Sequence, residues 1–222
     1  MMDSLPQTQF FDYLSSRQVA VTDKLRLRFQ TYLDNLFELN RQVNLVSRQM
    51  PGEVYWTQHL LDSLLILECV SLRDEMVLDF GSGGGLPGIP LSIACPGLRM
   101  TLLDGVNKKV RCLQDIVSRL KLPGVTAVRM RLEDFADRYE GMPFDYILCR
   151  GVRLEERFIA PMLKLLQAGG NLICYKAVRL DDVLVFPNPV IREVSHPALG
   201  IRKLVIIPHS SLQQYALKRN LI

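Results

Sequence analysis

Residues 76–90 read MVLDFGSGGGLPGIP. Four apolar residues around one acid, Asp79, have the length of a buried strand, and four glycines follow within the next five positions. Glycine has no Cβ, so such a run turns tightly and lets backbone N–H groups approach a ligand. The spacing Gly81, Gly83, Gly85 departs from the GxGxxG of dinucleotide-binding turns, and no Gly-Lys-Ser/Thr phosphate loop follows.

Working outward from this stretch, the chain has a strand–helix rhythm. MVLDF, RMTLLD, GVTAVRM, FDYILC and NLICYK are apolar runs of strand length. Helical patterns separate them at 107–122, stopped by Pro123-Gly124, and at 154–168. Strands alternating with helices predict βαβ units and a mostly parallel, Rossmann-like α/β sheet over residues 71–222. PVIREVSH and IRKLVIIP, around Pro197 and Gly200, predict a closing antiparallel hairpin, and the polar tail after Pro208 is left unassigned. Upstream, 22–39 places Leu25, Phe29, Tyr32, Leu33 and Leu36 on one helical face behind a Thr22 or Asp23 cap. A second helix is expected at 53–69, after the polar connector NRQVNLVSRQMPG, which makes 1–70 a small helical N-terminal subdomain.

Composition sets bounds on function. The chain is 48% hydrophobic and 23% charged, as a globular core requires. No apolar run approaches membrane-spanning length, and the N-terminus lacks a signal-peptide layout, so a cytoplasmic location is expected. Five scattered cysteines without a CxxC pair argue against a zinc site and against a disulfide framework. The net charge is +4, and residues 146–222 hold 11 lysines and arginines against 5 acids, which permits a polyanionic partner. Nothing resembles a self-complementary apolar patch, so a monomer suffices.

In a doubly wound sheet, ligands bind at the carboxyl ends of the strands. Asp104 closes the second strand, where a carboxylate can accept hydrogen bonds from both hydroxyls of a ribose or cap the next helix. Leu132 and Glu133 follow the third strand, placed either to meet an adenine or to start a helix. Asn107, Lys108, Lys109 and Arg111 form a basic cluster, read as phosphate contacts or as a solvated helix start. Arg150, Arg153 and Lys176 follow later strands on the same edge. His59, Asp62 and Ser63 form a polar set on an otherwise apolar helix, either docking the N-terminal subdomain or facing the ligand edge.

The segments VLDFGSGGGLPGIPLSI, TLLDGVNKKVRCL, RLEDF, FDYILCRGV and LLQAGGNLICYKA, with LNRQVNLVS and HLLDSLLI upstream, resemble one family. It is the bacterial small-subunit ribosomal RNA guanine-N7 methyltransferases, also called the glucose-inhibited division protein B family. The resemblance spans roughly residues 25–207, and its most specific element is the glycine loop running into Leu86-Pro87-Gly88-Ile89-Pro90. It implies a Rossmann-like methyltransferase sheet binding S-adenosylmethionine, with 16S ribosomal RNA or the small subunit as substrate. The implied cofactor contacts are Gly81, Gly83, Gly85, Leu86, Asp104, Leu132, Glu133 and Arg150, with Arg150 also the positioning candidate. With RNA as substrate, the basic residues at the ligand edge, Asn107, Lys108, Lys109, Arg111, Arg153 and Lys176, are the candidate RNA contacts. The chain departs from the family pattern at Cys149-Arg150-Gly151 (commonly Ser-Arg-Ala), Lys176-Ala177 (Lys-Gly) and Asn44-Leu45-Val46 (Asn-Leu-Thr).

Guanine N7 carries a lone pair and no proton, so its methylation needs no general base, and the sequence offers no His or Cys constellation beside the glycine loop. Holding N7 against the methyl carbon is then the main task, and orientation can supply about 7–11 kcal/mol. The residues alone also admit a methyltransferase for another RNA base or a small molecule, and a non-catalytic RNA-binding assembly factor on the same fold.

Overall fold

Alternation along the central strands decides which face each residue covers. The computed structural model describes residues 3–47 and 51–222; Met1, Met2 and positions 48–50 of the predicted connector lie outside the described residues. Strands β1 (Met76–Phe80), β2 (Arg99–Asp104), β3 (Val125–Arg129), β4 (Phe144–Arg150) and β5 (Leu166–Lys176) run parallel. β6 (Val190–His196) and β7 (Gly200–Pro208) form the antiparallel hairpin, and β7 joins the sheet antiparallel to β5. The order is β3-β2-β1-β4-β5-β7-β6. Val77, Leu102, Leu148, Ile173 and Leu204 belong to one apolar cluster, and their neighbours Leu78, Leu103, Ile147, Leu172 and Val205 to the other. This period-two assignment buries both faces of the sheet.

Helices α1 (Leu5–Ser16) and α2 (Asp23–Asn40) lie on the first face. So do α4 (Gly88–Ala94) and α5 (Asn107–Leu120). Thr22 caps α2, its Oγ1 accepting from Leu25 N–H at 3.2 Å, and Phe29, Tyr32, Leu33 and Leu36 are buried. Phe10 meets Phe29 edge-on at 4.8 Å and Trp56 at 5.4 Å, which puts Trp56 in the core. The opposite face carries α6 (Leu132–Arg138), α7 (Ile159–Leu165) and α8 (His209–Lys218). The tail left unassigned from the sequence is thus partly helical. Leu212, Tyr215 and Ala216, at i, i+3 and i+4, supply its buried stripe. The helix expected to reach residue 168 ends at Leu165, because Leu166 already enters β5.

The expected helix at 53–69 changes pitch along its length. Gly52–Val54 is a 3₁₀ turn, Trp56–Leu61 a π turn, α3 (Asp62–Leu64) a single α turn and Leu65–Glu68 another 3₁₀ turn. Such bulges occur where helical side chains are re-aimed for function, and His59 and Asp62 lie at this one. Tyr175 Oη donates to Ser63 O at 2.9 Å, and Tyr13 Oη to Leu64 O at 3.2 Å, so this segment is bound to both β5 and α1.

The turn after β1 is held from beneath by Asp79. Its Oδ2 accepts from Gly88 N–H at 2.9 Å, while its Oδ1 is buried without a partner. A Cβ on Gly88 would lie 2.4 Å from Leu102 and 2.8 Å from that same Oδ2, so only glycine lets the helix start approach the acid. Burial pushes the Asp79 carboxyl up to about 7, opposed by Gly88, Ser82 and Arg150. The folded protein therefore binds this proton more tightly than the unfolded chain, and stability falls as pH rises from about 4 through about 7. Asp79→Asn removes that titration. Between pH 5 and 8 the wild type is expected to lose on the order of 3 kcal/mol more stability than the variant, read from urea melts across that range. Parallel pH profiles would show that Asp79 is an ordinary carboxylate.

Candidate functional site

Two cavities open at the carboxyl edge of the sheet and share Gly81. Strand order reverses between β1 and β4, so the edge beside β1 is the switch point where such folds bind ligands. Gly81 has φ +75° and a Cβ there would lie 2.5 Å from Val152 Cγ2, so the chain must cross this junction without a side chain. Gly81 N–H and Ser82 N–H both donate to Leu103 O, at 2.8 and 3.2 Å, fixing the loop to the end of β2.

The smaller cavity, about 290 Å³, is lined by Phe80, Gly81, Asp104, Val106, Leu132 and Glu133, with Arg157 and Phe158 among its other walls. Asp104 Oδ2 accepts from Gly83 N–H at 3.1 Å and Oδ1 from Val106 N–H at 2.8 Å. It does not cap α5, whose N-cap is Val106 with no side-chain bond. Each carboxylate oxygen keeps a further lone pair, the requirement for receiving two vicinal hydroxyls. Leu132 and Glu133 start α6, as the helix-start reading expects, and both also line the cavity. Glu133 Oε1 pairs with Arg157 Nη1 at 3.3 Å on the exposed rim.

The larger cavity, about 420 Å³, lies between the glycine loop, the N-terminal segments and the ends of β4, β5 and β7. Gly81, Gly83 and Leu86 line it, as do Lys109, Arg150 and Lys176. Gly85 lines neither cavity, a correction to the expected contact set. A Cβ on it would meet Ile89 at 2.4 Å and Leu113 at 3.2 Å, so its missing side chain serves packing of α4 and α5.

Arg150 is held by the helical segment that carries Gln58, His59 and Asp62. Its Nε donates to Asp62 Oδ2 at 2.8 Å, and its Nη2 donates to Gln58 O at 3.1 Å and lies 3.3 Å from His59 Nδ1. Arg202 of β7 takes the other oxygen, Nε to Asp62 Oδ1 at 3.0 Å, and its Nη2 donates to Gln58 Oε1 at 3.1 Å. One carboxylate thus serves two guanidiniums and leaves one positive charge at the cavity wall. Burial, with Arg150 beside the ring, pushes His59 down to about 4, opposed by Asp62; the imidazole is neutral. His59 and Asp62 contact Arg150 and line the cavity, while Ser63 Oγ donates to His59 O within its own segment.

The basic residues divide. Asn107 is half-buried, Lys108 and Arg111 are exposed, and Lys109 reaches the cavity, all on the first turns of α5. Arg153 pairs with Asp181 at 2.6 Å on the surface. Lys176 donates to Asp182 Oδ2 at 2.6 Å with both side chains nearly buried, and Asp182 also accepts from Leu154 N–H at 2.8 Å. Its ammonium is therefore engaged in joining two loops. Arg202 and Tyr175, both lining the larger cavity, are absent from the sequence-predicted set. Nothing local marks Arg202, whose partner lies 140 residues away.

The chain also resembles known proteins. The family model described as rRNA small subunit methyltransferase G matches residues 26–189. A ribosomal RNA small subunit methyltransferase G from Alkalilimnicola ehrlichii is 40% identical over 171 residues, 77% of this chain and 75% of that protein. The one from Pelodictyon phaeoclathratiforme is 35% identical over 195 residues, 80% of this chain and 82% of the relative. Among solved structures, a mutant of MtNAS in complex with S-adenosylmethionine superposes with a TM-score of 0.56 at 14% identity, covering 82% of this chain and 74% of that one. That likeness establishes a shared fold. The match over residues 26–189 runs from α2, through both cavities and their shared Gly81, to the loop before β6, and by it the chain belongs to the rRNA small subunit methyltransferase G family.

Proposed function

We propose that this protein transfers a methyl group from S-adenosylmethionine to N7 of a guanine in 16S ribosomal RNA. The observation that carries the reading is the pair of cavities meeting at Gly81, one fitted to a nucleoside and the other walled by cations. Asp104, with a lone pair left on each oxygen, fits a ribose; Leu132 and Glu133 stand where an adenine would lie. S-adenosylmethionine, when bound, supplies an electrophilic methyl group. Gly81, at the junction, gives the backbone its close approach to both ligands.

The larger cavity carries the remaining expected cofactor contacts Gly83, Leu86 and Arg150, and its cationic wall also suits the RNA side. Arg150 and Arg202 share one carboxylate, and the positive charge left over, with Lys109, complements phosphate. Guanine N7 needs no proton removed, and the titratable ring on the cavity wall, His59, is neutral and tied to an arginine. Among the described residues the lowered basicity of that ring, with Nδ1 facing a guanidinium, makes it a weak proton acceptor, which favours N7 over a site that must lose a proton. N7 lies in the deep major groove of A-form RNA, so the target is expected in a loop or splayed from its stack. Asn107, Lys108, Lys109 and Arg111, on the first turns of α5 with Lys109 in the cavity wall, are the candidate phosphate contacts, with Arg153 and Lys176 held in ion pairs. A single copy carries both cavities, which supports a monomer, and a ribosomal RNA substrate supports a cytoplasmic location.

The deciding experiment incubates purified protein and S-adenosylmethionine with unmodified 16S RNA or small subunits and maps 7-methylguanosine. One new modified guanine is expected; cofactor binding without it would leave an RNA-binding assembly factor. Asp104→Ala is expected to weaken S-adenosylmethionine affinity by roughly 10-fold to 100-fold, measured calorimetrically, as loss of charged hydrogen bonds implies. Lys108→Ala combined with Lys109→Ala should spare cofactor affinity while flattening the salt dependence of RNA binding by roughly 1–2 in slope. An unchanged slope would assign both lysines to a solvated helix face.

A further inference from the structure

A third cavity, an open groove of about 830 Å³, is larger than either of the two at the carboxyl edge. It lies at the amino ends of β1, β2 and β3, between the loops that enter those strands (71–73, 95–98 and 122–124) and the facing ends of α1 and α2. β1 and β2 hold 5 and 6 residues, so at about 3.3 Å per residue the groove opens roughly 15–20 Å from the glycine loop. Its floor is fixed by main-chain packing, since a Cβ on Gly97 would lie 2.3 Å from Arg73 O and one on Gly124 2.5 Å from Leu98 O. The charge of its walls is one-sided. Arg17, Lys24, Arg28 and Arg73 line it, and among the described residues no carboxylate does. Arg17 is neutralised by Glu68 at 2.7 Å, whereas Lys24, Arg28 and Arg73 have no ion-pair partner among the described residues. Glu75, the nearest acid after Arg73 but one, is engaged by Arg73 N–H at 2.6 Å. Lys24 and Arg28 stand one turn apart on α2, about 5–6 Å between Cβ atoms, and Arg73 comes from a different element. Cations strung over two elements suit an extended polyanion better than a single phosphate.

We propose that this groove is a second RNA-binding surface, holding phosphates of the same ribosomal RNA whose guanine is methylated at the opposite edge of the sheet. The inference rests on the ribosomal RNA reading given above. The substrate is a folded RNA far larger than the sheet, so chain flanking the target can reach the amino edge while the target base lies at the carboxyl edge. Once the target is engaged, a contact elsewhere on the same molecule is intramolecular and raises affinity without touching the base. Phosphate contacts carry no sequence information; they fix the orientation of the protein on its substrate. Each neutralised phosphate releases counterions, so the contact is read directly in the salt dependence of binding. The substrate already supplies phosphates within reach, which favours RNA over an acidic protein segment as the occupant.

The test measures binding of unmodified 16S RNA, and separately of small subunits, across a range of salt concentrations. Wild type is compared with Lys24→Gln combined with Arg28→Gln, with cofactor affinity and methyl-transfer kinetics followed in parallel. In the double variant the salt slope is expected to fall by roughly 1–2, and RNA affinity at low salt by at least about fivefold. KM for RNA should rise while kcat and S-adenosylmethionine affinity stay at wild-type values, as loss of binding remote from the chemistry requires. Charge reversal, Lys24→Glu with Arg28→Glu, is expected to weaken binding further. Unchanged affinity and slope in both variants overturn the proposal and assign the cations to a solvated face. Weakened binding to small subunits with naked RNA unaffected overturns it as well, placing an acidic protein segment in the groove. If the double variants fail to fold, as read by thermal melting, Arg73→Gln in the loop before β1 decides, with a slope change of about 1 expected. Absence of 7-methylguanosine from the wild type would overturn the underlying reading, a result distinct from equal RNA binding by wild type and variant.

Discussion

The Asp62 carboxylate is the constraint on which the site depends. It sits between Arg150 of β4 and Arg202 of β7, and it comes from a helical segment outside the sheet. Three parts of the chain therefore meet on one pair of oxygens. The side chains are largely buried, with Asp62 10% and Arg150 18% exposed. At that depth an unpaired charge costs several kcal/mol, so the geometry is fixed by what breaking it would leave behind. Gln58 reinforces the clamp by bonding Arg150 through its carbonyl and Arg202 through its side chain.

The same clamp sets the chemistry. With two guanidiniums on one carboxylate, the cavity wall is positive although Arg150 and Arg202 are both paired. Burial, with a guanidinium beside the ring, keeps His59 neutral, and a neutral ring cannot serve as a cationic acid. What remains is a set of fixed hydrogen-bond directions and a residual charge, suited to holding a base and its phosphates in place. Methyl transfer to a lone pair asks for little else, since the positive charge merely passes from donor to acceptor.

Much of the fold was legible because its signals are local. The apolar runs of β1 to β5, the Thr22 cap and the stop at Pro123-Gly124 each act over a few residues. Asp104 and the glycine loop were legible as a pair because the ends of neighbouring strands must lie side by side. Arg150 was conspicuous, a charge closing an apolar strand. Its partner was not identifiable, since the contact with Asp62 spans 88 residues and follows from a change of helical pitch that no periodicity announces. The partner of Lys176 was hidden for a related reason. A lysine at a strand end suggests a phosphate, and only the tertiary structure reveals Asp182 already beneath it. Gly85 looked like its neighbours in the loop but faces the helices, a distinction set by backbone direction.

The change of rhythm near residue 70 is a change of periodicity and not a gap in packing. Leu33 and Leu36 of α2 share an apolar cluster with Val77 and Leu102 of the sheet. Tyr32 Oη donates to Gly84 O at 2.8 Å, and a Cβ on Gly84 would already crowd Leu36 and Val46. Asn40 Oδ1 in turn accepts from Leu45 and Val46 N–H, setting the chain that lies over the loop. The N-terminal helices thus bear on the glycine loop from one side and grip Arg150 from the other. Any shift of these helices moves the walls of the larger cavity and the Gly81 junction together. Two ligands that must meet at one methyl group are better aligned by a shared support than by two independent domains, because a displacement of that support carries both binding surfaces with it.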